Sequence, residues 1–142
     1  MTAARAEDVV AIQQRLAAAT QAGDARKAEA YAACFTPDGV LELAEVHRGR
    51  AAIIAWMTAP SPFAAPQDGS PGYISHHLTT CKIDFVDEET ASARTYWMVT
   101  SASGLDHNGY YADRLSRIEG EWLIAHRRPR TLWISPVSVI RR

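Results

Sequence analysis

Apolar positions recur along this chain with one of two periods. Val9, Ile12, Leu16 and Ala19 stand at helical spacing in an Ala-rich stretch, so residues 5–22 predict an amphipathic helix with one narrow apolar stripe. Gly23 stops it, and Asp24 opens the next element as a helix cap. Ala28, Tyr31, Ala32 and Phe35 repeat the i, i+3, i+4, i+7 pattern, which predicts a second helix over 25–35. Thr36-Pro37-Asp38-Gly39 reads as a turn. From Val40 the period falls to two. Leu41 and Leu43 share one face and Glu42 the other, a strand over 40–46 that Arg48-Gly49 ends. Residues 50–58, with Ile53, Ile54, Trp56 and Met57, predict a short third helix. Residues 59–73 carry Pro60, Pro62, Pro66, Pro71, Gly69 and Gly72. No regular element survives that, so the stretch is a loop, read either as a connector or as a lid.

The second half keeps the period of two. Strands are predicted over 75–86 and 90–101, joined by Asp87-Glu88-Glu89, and Ser103 to Asn108 reads as a polar turn. Tyr110 to Ile118, the turn Glu119-Gly120-Glu121 and Trp122 to Arg127 form a β-hairpin pattern. A lone hairpin is marginal in water, so the preceding chain must supply a layer that covers one face. Leu132 to Ile140 is apolar and β-branched but broken by Pro136, which fits a tail or a last edge strand. Helices gathered ahead of an antiparallel meander mean α+β. We expect one domain over 1–142, a cone-shaped barrel of curved, mostly antiparallel sheet wrapped around three N-terminal helices. The interior of such a cone is lined by apolar and aromatic side chains, the usual setting for a small ligand.

Composition sharpens this only at the margins. The chain has 142 residues, 47% hydrophobic and 22% charged, with a formal net charge of −1. These are the proportions of one globular domain, and they give no general attraction to nucleic acid or anionic membrane. The basic run His126-Arg127-Arg128-Pro129-Arg130 reads as a solvated strand end. No apolar run is long enough to span a bilayer and no signal-peptide pattern follows Arg5, so a cytoplasmic protein is the default expectation. Cys34 and Cys81 lack metal or redox spacing and read as reduced, buried thiols, with a disulfide the alternative. His76 and His77 are neighbours in one strand and point to opposite faces, so they cannot share a metal. No metal or other cofactor is expected. Trp56, Trp97, Trp122 and Trp133 read as core, the first two also as cavity walls. Asp113 and Arg114 read as a cross-strand ion pair.

Three features together carry a resemblance. They are the helix-Gly23-Asp24-helix opening followed by Phe35-Thr36-Pro37-Asp38-Gly39, the strand His76-His77-Leu78-Thr79-Thr80, and the hairpin from Gly109 to Arg127. They resemble the SnoaL-like branch of the nuclear-transport-factor-2-like superfamily, over roughly residues 5–130. Scytalone dehydratase and hexachlorocyclohexane dehydrochlorinase are the most useful relatives of that kind. The resemblance implies an Asp at the start of the second helix paired with a His at the start of a central strand, positions that fall on Asp24 and His76. An Arg after the hairpin tryptophan falls on Arg127. Elimination of water or HCl needs a base to take a proton from carbon. Neutral imidazole suits that task near pH 7, a carboxylate on its other nitrogen fixes the tautomer and stabilises the imidazolium, and an Arg stabilises developing negative charge.

The sequence departs from the dehydratases where their assisting tyrosines stand, near Gly23 and Leu43, and where a second histidine stands, near Ser101. The acid that serves as base in ketosteroid isomerase also falls at about Leu43, beside Glu42. Tyr96, Trp97, Tyr110, Tyr111 and Ser101 are the candidates to replace these groups. Leu43, Trp56, Trp97, Ser101 and Tyr111 are the expected substrate-binding residues. Two readings follow. One is a cofactor-free lyase or isomerase acting on a small hydrophobic cyclic molecule. The other is a non-catalytic binding or assembly domain of the same fold. Relatives associate through the open sheet face, so a homo-oligomer, trimer or dimer, is expected.

Overall fold

The computed structural model of the chain describes residues 2–60 and 73–140. Three helices and six strands run in the order α1 (Ala3–Asp24), α2 (Ala28–Ala33), β1 (Phe35–Glu42), β2 (Val46–Arg48), α3 (Arg50–Thr58), β3 (Ile74–Phe85), β4 (Thr90–Ser101), β5 (Gly104–Ile118) and β6 (Glu121–Ile134). The strands form one six-stranded sheet in the order β2-β1-β6-β5-β4-β3. Every neighbouring pair is antiparallel except β1 and β6, which are parallel. The expected α+β arrangement is present: a curved, mostly antiparallel sheet with the N-terminal helices against one face. The sheet is open, with β2 and β3 as its two edges.

Alternation explains which face the helices cover. On β4, Ala91, Ala93, Thr95, Trp97, Val99 and Ser101 are buried while their neighbours are not. Ala91 and Ala93 of this set share a core with Ile12, Leu16 and Ala19 from α1, the stripe expected of that helix, together with Tyr31, Ala32, Ile53 and Met57. A smaller cluster of Trp97, Val99 and Tyr111 packs with Ile74 and Leu78. Trp133 is not core as expected. It is 45% exposed, because its position pairs with Asn108, which in turn pairs with Met98 on the outer face of the sheet.

Several boundaries differ from the sequence-based ones. Gly23 and Asp24 belong to α1, and α2 is only 6 residues long. Thr36 to Gly39 is not a chain reversal but an irregularity within β1. Phe35 pairs with Ile124 and Val40 with His126, so the four residues between them stand against Ala125 alone. Gly39 permits this crowding, since a Cβ there would lie 2.8 Å from the Cβ of Phe35 and 3.1 Å from the carbonyl of Ile124. The stretch 103–108 is largely strand, because β5 begins at Gly104, itself at a positive φ of 98°. The hairpin turn falls where expected. Glu119 and Gly120 both take positive φ, the two-residue geometry whose twist matches the flanking strands.

Leu132 continues β6, and residues 135–140 fold back on β5 instead of adding an edge strand. The thiols of Cys34 and Cys81 are free. Cys34 is buried and Cys81 half-buried. Most of the proposed 59–73 lid lies outside the described residues. No helix among those described is long and apolar enough to cross a membrane.

Candidate functional site

Asp24 is the last residue of α1 and not the cap of α2, which corrects the sequence expectation. The reason lies in the backbone. Arg26 takes a left-handed φ of 56°, the amide of Lys27 bonds the carbonyl of Ala22, and that of Arg26 bonds Gly23. This is the paired hydrogen-bond pattern that terminates helices, here built without glycine at the left-handed position. The Arg26 guanidinium donates to the Met57 carbonyl at 2.5 Å, tying the helix end to α3. A carboxylate at a helix C-terminus is opposed by the helix dipole, by about 0.3–1 kcal/mol at exposed sites. Two donors from β3 answer it: the His76 amide at 2.8 Å and the His76 Nδ1 at 2.6 Å.

His76 therefore meets Asp24 as the resemblance implies. Both side chains are about one-fifth exposed, at 22% and 20%. With Nδ1–H donated to Asp24, Nε2 carries the lone pair. The ring lies 5.9 Å from the Trp97 indole. His77 points to the other face, where its Nε2 meets Ser75 and Thr100 hydroxyls.

Arg127 also faces the helices, through a bulge. Arg114 pairs with His126 and Leu115 with Ile124, which leaves Ala125 as an extra residue. Strict alternation breaks there, so Ile124 and Arg127 are both buried. Arg127 is thus no part of a solvated strand end. Its Nε and Nη2 each donate to Asp113 at 2.9 Å, and its guanidinium lies 3.9 Å from the Tyr111 ring centroid. Burial acts against the Arg127 charge, but the Asp113 carboxylate outweighs it and holds the guanidinium firmly protonated. Burial likewise pushes the Tyr111 phenol well above its usual range. The Asp113–Arg114 pair expected from sequence is replaced by Asp113–Arg127, with the two residues directly opposite across β5 and β6. Arg114, next along β5, is exposed.

The other expected residues divide into three groups. Trp97 and Tyr111 stand together, ring centroids 5.7 Å apart, between the His76 and Arg127 ends of the site. Leu43 and Trp56 pack against the main core instead, Trp56 beside Tyr31 and His47. Ser101 is buried, but its hydroxyl is committed to Asp106 at 2.9 Å. Tyr96 and Tyr110 lie on the opposite sheet face. There they border a concavity of about 770 Å³ with Lys82, Ser92 and Arg94, and Arg94 stacks on Tyr110 at 3.8 Å. Neither tyrosine can stand in for a hydroxyl beside His76.

Sequence reasoning missed one pair altogether. Asp106 and His107 sit in the stretch read as a turn. Val99 pairs with His107 and Thr100 with Leu105, so Asp106 is an extra residue on β5. That bulge buries both side chains, and Asp106 Oδ1 accepts from His107 Nδ1 at 2.7 Å. The only sequence signal was an Asp-His dipeptide, and nothing in the period announces a bulge.

Gly109 positions Trp97. A Cβ at Gly109 would lie 1.9 Å from the Arg130 carbonyl and 2.7 Å from Cζ2 of Trp97. Gly109→Ala is expected to destabilise the fold by about 1–3 kcal/mol, as overpacking does. Chemical denaturation will read the loss, and near-ultraviolet circular dichroism will read the displaced indole. Among the described residues, no cluster of three or more His, Cys, Asp or Glu side chains could hold a metal.

Comparison with known proteins covers nearly the whole chain. The SnoaL-like domain family matches residues 4–128. A Mycobacterium tuberculosis protein of unknown function is 29% identical, with 92% of this chain and 75% of that one covered and a TM-score of 0.75. A Catenulispora acidiphila protein, solved in complex with S-DNPA, is 27% identical, with coverage of 89% and 94% and a TM-score of 0.70. A Novosphingobium aromaticivorans protein provisionally assigned as a scytalone dehydratase is 22% identical, with coverage of 100% and 99% and a TM-score of 0.79. The last of these likenesses speaks for the fold alone. No curated protein sequence matches the chain.

Proposed function

The chain belongs to the SnoaL-like domain family, and from that premise we propose that it is a lyase of the dehydratase or dehydrohalogenase kind, or an isomerase sharing the same first step. Its substrate is a small hydrophobic cyclic molecule. The observation that carries this reading is the 2.6 Å contact between Asp24 Oδ1 and His76 Nδ1. Asp24 holds the imidazole in the tautomer that leaves Nε2 free to take a proton from carbon. The same carboxylate then stabilises the imidazolium that forms. Acid–base elimination of this kind needs no cofactor. Trp97 and Tyr111 form the apolar wall against which a ring would lie.

Arg127 serves this site through Tyr111. Two of its donors are committed to Asp113, so it acts as a scaffold for the phenol and not as a free clamp for a leaving group. Experiment decides the first step: cyclic ketones incubated in D₂O with the protein should gain deuterium at the carbon beside the carbonyl, read by mass spectrometry. Absence of exchange over a broad ketone panel, with no chloride released from chlorinated cyclic compounds, would remove the catalytic reading. A binding domain without chemistry is then the remaining one, favoured by Gly23 and Leu43 standing where dehydratase tyrosines would be.

The outer sheet face, with Tyr96 42% and Met98 39% exposed, supports a homo-oligomer, dimer or trimer, built through that face. Sedimentation at micromolar concentration is expected to show an assembly, and a monomer would refute it.

A further inference from the structure

The turn that ends α1 holds a residue in a conformation its type resists. Arg26 takes a φ of 56°, where an L side chain is crowded and glycine is not. The turn itself asks only for a left-handed residue, and glycine serves that at least cost. Strained backbone of this kind persists where the surroundings over-determine it, and it gathers at functional sites. What arginine adds over glycine is its guanidinium. A single nitrogen, Nη2, donates to the Met57 carbonyl at 2.5 Å and to the Ala59 carbonyl at 3.3 Å. Both stand at the C-terminal end of α3, with Ala59 as its cap. Carbonyls there lack intrahelical partners, and the helix dipole favours a cation.

This clamp lies two residues from Asp24. One residue reads that carboxylate from both sides: Oδ2 accepts the His76 amide and Oδ1 accepts His76 Nδ1. Such a fit demands that the end of α1 and the start of β3 each be held in place. The sheet holds β3, with Ile74, Ser75 and His76 opposite Ser101, Thr100 and Val99. The end of α1 belongs to no such ladder, and Lys27, the N-cap of α2, makes no side-chain capping bond. Arg26 supplies a polar tie there, from the α1–α2 turn to α3.

We propose that Arg26 is a positioning residue for the Asp24–His76 pair. This rests on the reading of His76 as the base and deepens it. The two bonds of Nη2 go to α3, so Arg26 acts on the pair through the chain and not by contact with substrate. With the clamp released, the last turn of α1 is free to fray and carries Asp24 away from Nδ1. The imidazole then loses its fixed tautomer and the aim of Nε2. A displacement of about 1 Å at a reacting group costs roughly 100-fold in rate.

Arg26→Gly tests this, because it keeps the left-handed turn at lower backbone cost and removes the guanidinium. Arg26→Lys is its companion: one ammonium can replace one nitrogen that bonds two carbonyls. The Arg26→Gly protein is expected to unfold within about 5 °C of wild type. Its deuterium exchange into a cyclic ketone should show kcat lowered by about 10- to 100-fold, with KM within a few-fold because no contact with substrate is lost. In ¹⁵N-histidine-labelled protein, the short bond to Asp24 carries the proton on His76 Nδ1 downfield. In Arg26→Gly that proton should move upfield and exchange faster with solvent. Arg26→Lys should bring kcat and the Nδ1 proton back toward wild type. An Arg26→Gly protein with the wild-type kcat and an unmoved Nδ1 proton overturns the proposal, as does an Arg26→Lys protein as impaired as Arg26→Gly. If the wild type neither exchanges a carbon-bound proton nor releases chloride, the reading of His76 as base falls, and the Nδ1 proton alone decides whether Arg26 holds the pair.

Discussion

Asp113→Ala is expected to lower the stability of this protein by about 3–5 kcal/mol, the cost of leaving a buried charge without its partner. Arg127 is 1% exposed. Its guanidinium is held by two bonds to Asp113 and by the Tyr111 face. Removing the carboxylate leaves a cation that can neither reach water nor lose its proton. Chemical denaturation of the variant should show a midpoint shift large enough to threaten folding. The double replacement Asp113→Leu with Arg127→Met removes both charges, and it is expected to recover most of the loss because desolvation and attraction disappear together. If Arg127→Met alone proved harmless, the pair would not be the anchor of this part of the sheet. If the double variant also kept deuterium exchange, the role of Arg127 would be confined to supporting Tyr111.

His76→Gln is expected to leave the fold intact and to lower proton abstraction by about 100- to 10,000-fold, the range for a positioned base. Glutamine fills similar space and can still donate toward Asp24, so the backbone bond from residue 76 to that carboxylate persists. It cannot accept a proton. Asp24→Asn is the companion. It removes a negative charge from the C-terminal end of α1, where the helix dipole opposes it, so stability should change by less than about 1 kcal/mol. Exchange should nevertheless collapse, because an amide permits the wrong imidazole tautomer. Thermal unfolding read beside deuterium exchange separates the two effects. A His76→Gln protein that exchanges at the wild-type rate would refute the assignment of the base.

Much of this was legible from periodicity. The stripe Val9, Ile12, Leu16, Ala19 predicted a helix whose last three members are buried or nearly so, although Val9 sits at its margin. The strand predicted over 90–101 is β4, and the Glu119-Gly120 turn joins the two strands of the predicted hairpin, β5 and β6. The departures share one physical origin: a period assumes one residue per step, and a bulge inserts another. The extra residue at Ala125 turned Arg127 inward. Another at Asp106 hid an acid–imidazole pair inside what read as a polar turn. Asp24 was placed by resemblance and reached its partner, but its element was misjudged. Helix termination by a left-handed arginine has no sequence signature as plain as glycine, so Gly23 was taken for the stop. Side-chain partners such as Asp113 with Arg127 depend on register, which no single strand reveals.

The strand order carries a consequence for how this chain is made. β6 is sixth in synthesis yet lies in the interior of the sheet, between β1 and β5. Until its residues leave the ribosome, the first strand has no interior neighbour and β5 offers a bare edge to any passing chain. Helical pieces and the β3–β5 meander can form early, but no strand pairing joins the two halves of the sheet before β6. Completion is therefore a late event, and a nascent chain stalled short of residue 121 would be a client for chaperones.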